Sequence, residues 1–157
     1  EVRDTPRLTL PHPRIAERAF VLVPALEVLE PALESADPEP AARMAEFAAA
    51  AGRREADALR QRAAERWEAL LAQHPLAFAD HAAEFYLGAG DDADAAYDWA
   101  RRNLANRATD RARGLVILAA LAAGEPACLP GVREETFDPM LMEALAARRA
   151  VGVSCPE

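Results

Sequence analysis

The chain has 157 residues, of which 52% are hydrophobic but only 6% aromatic, with a net charge of -8. That length buries one core of ordinary size, or a small domain with the remnant of another. The acid excess excludes a general nucleic-acid surface, which needs clustered basic charge. No apolar run approaches the ~18 residues of a membrane span, so no membrane partner is expected.

Residues 1–33 differ in character from the rest of the chain. They carry Pro6, Pro11, Pro13, Pro24 and Pro31 among dense apolar clusters, and they open at Glu1 without an initiator Met, which reads as the back end of something begun upstream. Thr5 to Leu10 alternates as a short strand does, until Pro11 and Pro13 break it. Arg14 to Leu29 reads as a helix that Pro24 kinks. A strand with no neighbour is a liability, so residues 1 to about 13 are expected to be poorly ordered or to lie extended along the helices.

Residues 34–40 form a polar, proline-punctuated linker, and residues 41–149 a helical domain. Alanine dominates its apolar share, so the core is expected from close helix approach rather than from large side chains. Ala41 to Ala51 ends at Gly52. Arg54 to Gln73 puts Leu59, Ala63, Trp67, Leu70 and Leu71 on one stripe and stops at Pro75. Leu76 to Leu87 stops at the Gly88-Ala89-Gly90 turn. Asp91 and Asp92 cap a helix running to about Leu104, and the acidic run Asp91, Asp92 and Asp94 suits an opening turn with unpaired amide hydrogens. Thr109 and Asp110 cap a helix ending at Gly124, and Asp138 with Pro139 open a last one running to Arg149. Residues 150–157 read as a loose tail.

Gly90 and Gly124 are 34 residues apart and close similar helices, FYLGAG and ILAALAAG. That spacing resembles a tetratricopeptide repeat, with Gly90 and Asp91 at the turn and Ala96 and Ala100 at the small positions of the second helix. The resemblance departs at Ala108, where a proline is usual, and in residues 41–74, which fit the period poorly. A plain helical bundle is the alternative. The fold expected is mostly α: a short N-terminal strand, then antiparallel helix pairs.

The opening segment also carries a resemblance. Arg7-Leu8-Thr9-Leu10-Pro11-His12, then Arg18-Ala19-Phe20, then Pro24-Ala25-Leu26-Glu27-Val28-Leu29-Glu30-Pro31, resembles the C-terminal part of 6-hydroxymethyl-7,8-dihydropterin pyrophosphokinase. The match spans 33 residues of 157. It implies a folate-biosynthesis transferase that moves pyrophosphate from ATP to the hydroxymethyl group of a pterin, with magnesium. Arg7 and Arg18 would meet the ATP phosphates, a task suited to a planar guanidinium. Thr9 and His12 would add donors, and Phe20 would stack on the pterin. Pro13 departs from the family pattern, and the family's metal-binding D-x-D on the preceding strand is absent. The catalytic set is therefore incomplete, no metal ligand is assigned, and the chain alone is expected to be inactive and to bind neither ATP nor magnesium tightly. The alternative function is an interaction scaffold, in which the helical module binds a protein or peptide and catalyses nothing.

Other features read more plainly. Cys128 and Cys155 fit no CxxC or metal spacing and suggest two free thiols in a reducing, cytoplasmic setting. His74 and His81 are separated by Pro75 and lack further ligands for a metal. Phe78, Phe85, Tyr86, Tyr97 and Trp99 are expected in the core between paired helices, or else along a peptide groove. Gly88-Ala89-Gly90 lacks the lysine and preceding strand of a phosphate loop. Arg53-Arg54, Arg101-Arg102 and Arg148-Arg149 read as exposed pairs.

Overall fold

A computed structural model describes residues 3–5, 8–10, 38–50, 52–133 and 135–155. Two short strands, β1 (Arg3–Thr5) and β2 (Leu8–Leu10), are followed by helices α1 (Pro38–Ala50), α2 (Ala56–Gln73), α3 (Ala79–Leu87), α4 (Ala93–Asn106), α5 (Asp110–Ala123) and α6 (Pro139–Ala150). The protein is mostly α. Two compact units, Glu1–Trp67 and Glu68–Glu157, divide within α2.

In the first unit the strand expected over Thr5–Leu10 is divided. β1 and β2 pair antiparallel, with Arg3 opposite Leu10 and Thr5 opposite Leu8. The strand therefore has a neighbour from its own sequence, and Pro6 lacks the N–H that one continuous strand would use. The helix expected over residues 14–29 lies outside the described residues. α1 begins at Pro38, ahead of the expected Ala41. A proline in a first turn loses nothing, because those amides have no partner inside the helix. Ala41, Met44, Ala45 and Ala48 form its buried stripe, at the i, i+3, i+4, i+7 spacing of one helix face. Its end is set by Gly52 at φ +65°, which lets the Arg53 N–H donate to Ala48 O at 2.8 Å. In the part of α2 that belongs to this unit, Ala63 and Trp67 of the expected stripe are buried and Leu59 is half-buried; in the part that belongs to the second unit, Leu71 is buried and Leu70 half-buried.

The second unit is built on alanine. α3 and α4 form an antiparallel hairpin whose turn is closed by Gly90 N–H to Phe85 O at 2.7 Å and Asp92 N–H to Tyr86 O at 2.9 Å. A Cβ on Gly90 would lie 2.9 Å from Tyr86 Cα and 3.0 Å from Phe85 O, so the turn admits only glycine there. Asp92 accepts from the Ala95 N–H and caps α4, and Thr109 accepts from the Ala112 N–H and caps α5. Only Arg107, Ala108 and Thr109 separate α4 from α5, and so short a link returns the chain antiparallel. Ala83, Ala96, Ala100 and Ala119 are fully buried together with Leu115 and Val116. These small side chains let three helices approach closely, while Tyr86, Tyr97, Trp99 and Leu104 pack around the margin.

The last pair breaks the alternation. α5 and α6 run in the same direction. At their starts, a Cβ on Gly114 would meet Leu141 N at 2.6 Å, and Thr136 Oγ1 donates to Asp110 Oδ2 at 3.2 Å. Just past their other ends, Cys128 and Cys155 are joined. Segment 125–138 is the return path. Between the two helices Ile117, Ala120, Leu141, Ala144 and Leu145 form a second core, joined by Ala127 from the return path.

Residues 151–155, after α6, are held in place rather than loose, and residues 156–157 lie outside the described residues. Gly152 adopts φ +74°, and the N–H groups of Gly152 and Val153 donate to Arg149 O at 3.0 Å and Arg148 O at 3.2 Å. The turn carries Cys155 to Cys128, whose Cα lies 5.5 Å away, and the two form a disulfide. Two free thiols were the sequence expectation. The pairing replaces it, because the parallel course of α6 places both cysteines at one end of the unit.

Candidate functional site

The residues expected to hold ATP and pterin contribute little geometry. Thr9 is the middle residue of β2, opposite Asp4. Arg7, His12, Arg18 and Phe20 lie outside the described residues.

The aromatic group of the second unit is part core and part margin. Phe85 is buried and meets Tyr86 edge-on, with ring centroids 5.0 Å apart. Tyr97 and Trp99 are half-buried on α4. Arg102 stands over the Trp99 ring at 4.5 Å from its centroid and Arg101 over Tyr97 at 5.5 Å, within the range of cation–π attraction. Burial raises the Tyr86 phenol above its ordinary value, and the charges of Glu68 and Asp92 push it the same way.

A charged seam ties α3 to the helices after it. Asp80 pairs with Arg107 at 3.7 Å and Glu84 pairs with Arg111, while Asn106 Nδ2 donates to Leu76 O at 3.3 Å. No motif marks these residues in the sequence. Their signal was available, since Asp80 and Glu84, like Arg107 and Arg111, are four apart. The His74 ring lies beside Phe78, centroids 6.4 Å apart, and the His81 backbone N–H donates to Asp80 Oδ1. Among the described residues no group of three or more His, Cys, Asp or Glu is placed to hold a metal ion.

The second unit also holds an open cleft of about 910 Å³ at the disulfide end. Residues 128–132 of the return path form one wall, the end of α6 a second, and residues 153–155 a third. Leu129, Val132 and Val153 make much of it apolar, and Arg148 and Arg149 supply its charge. Arg148 is only 7% exposed. The sequence suggested an exposed arginine pair. Of the two, the structure exposes only Arg149.

Comparison of the chain with protein family models, curated proteins and solved structures finds no match.

Proposed function

We propose that the second unit is an interaction module of tetratricopeptide-like character, whose α4 margin docks a protein or peptide. The observation that carries this reading is the pairing of an alanine-built helix stack with half-buried Tyr97 and Trp99, each under an arginine. Aromatic and arginine side chains are the types that anchor interfaces. The test uses the whole chain as bait, with cross-linking and mass spectrometry, beside a Trp99→Ala, Arg102→Ala variant. A partner retained by the native chain and lost by the variant supports docking at α4. Identical captures by both baits reject it.

A second reading belongs to the opening segment, as the C-terminal part of a dihydropterin pyrophosphokinase that uses ATP, magnesium and a pterin. In its favour, Leu8–Leu10 is a strand, where the family pattern places R-L-T-x-P-H on one. Magnesium-ATP is expected to bind weakly to the whole chain and more weakly still to an Arg7→Ala, Arg18→Ala variant. Equal binding by both chains in equilibrium dialysis would sink this reading.

No described helix is long and apolar enough to cross a membrane. The disulfide favours a compartment in which cystines persist, in place of the cytoplasmic setting that free thiols would suit. Alkylation of the purified protein before and after reduction, read by mass, tests the pairing.

A further inference from the structure

The geometry points to the cleft beside the disulfide as a binding site for a carboxylate with an apolar group next to it, separate from the α4 surface. Its size suits such a ligand: about 910 Å³, against roughly 300–1,000 Å³ for small-ligand pockets. The charged side chains among its described lining residues are Arg148 and Arg149, in a chain whose net charge is -8. Each guanidinium presents several N–H donors in a fixed fork, enough to keep an internal partner and also take an incoming carboxylate. Burial of Arg148 shields that bond from salt and water, which strengthens it relative to an exposed pair. Leu129, Val132 and Val153 give the ligand's apolar part a wall to cover, and Ser154 adds a polar residue to the lining. The shared chemistry fits either a free small acid or the C-terminus of a peptide.

Calorimetric titration of the intact, oxidised chain tests the assignment. The probes are N-acetyl-leucine, the tripeptide Ala-Ala-Leu with a free carboxylate, its C-terminal amide, and inorganic phosphate. At least one of the two acids binds saturably, and the amide binds about tenfold more weakly, the usual cost of losing a charge-assisted hydrogen bond. Arg149→Gln weakens the acid by a similar factor. Its side chain is exposed, so the variant keeps the native helical circular dichroism. Binding of the tripeptide alone identifies a peptide terminus as the ligand, and binding of both acids identifies the small acid. Equal affinity for acid and amide, unchanged affinity in Arg149→Gln, tighter binding of phosphate than of either acid, or no heat from either acid at millimolar concentration would overturn the proposal.

Discussion

Gly114 sits where α5 meets the start of α6, and nothing larger fits: an added Cβ would lie 2.6 Å from Leu141 N and 2.8 Å from its Cα. Backbone atoms of a capped helix cannot step aside as a flexible side chain can. Gly114→Ala is therefore expected to cost about 3 kcal/mol, toward the upper end for overpacked cores, measured by urea denaturation. Gly131→Ala has open space around it but φ +72°, so only the backbone penalty of about 1–2 kcal/mol remains. The glycine at 90 was legible from its place between two periodic stretches. Gly114 was not, because its constraint comes from a helix far along the chain. Tyr86 gives a pH prediction. Its folded-state pKa is raised, so above the ordinary value near 10 the unfolded chain loses a proton that the folded chain keeps. That contribution to stability is full below this pH and is lost as pH rises through the folded-state value. Thermal melts from pH 8 to 11 should fall more steeply for the native chain than for Tyr86→Phe.

At the scale of elements, the helix starts are fixed by local chemistry. Asp92, Thr109 and Asp138 each accept a hydrogen bond from an amide three residues on. Replacing any one with alanine is expected to lower stability by about 1 kcal/mol, again by denaturant melts. Because these signals lie within a few residues, the starts of α4, α5 and α6 could be read from the chain directly. α3 shows the limit. It begins at Ala79 instead of Leu76, since the Ala77 N–H closes a turn onto His74 O before the helix starts. The direction of α6 was less accessible still. A connection as long as 125–138 can span the length of α5 and return to its start, so sequence alone permits either orientation. Only the meeting of Gly114 with Leu141 and of Thr136 with Asp110 decides between them.

For the whole molecule, the disulfide is the covalent tie across the second unit. It closes a separation of 27 residues, for which loop entropy predicts a stabilisation of about 3–4 kcal/mol. Replacing both cysteines with serine should lower the denaturation midpoint accordingly, with helical circular dichroism retained in water. The sequence carried the mostly α character plainly, through alanine spacing and caps, but not this pairing, which depends on where two distant segments finish. The parallel course of α5 and α6 has an electrical consequence as well. Antiparallel neighbours cancel their macrodipoles, whereas these two add, leaving positive potential at one end and negative at the other. Asp110 and Asp138 stand at the shared N-terminal end, and Arg148 and Arg149 close the last turn of α6 at the opposite end. The two arginines thus offset a field that would otherwise turn anions away from that end.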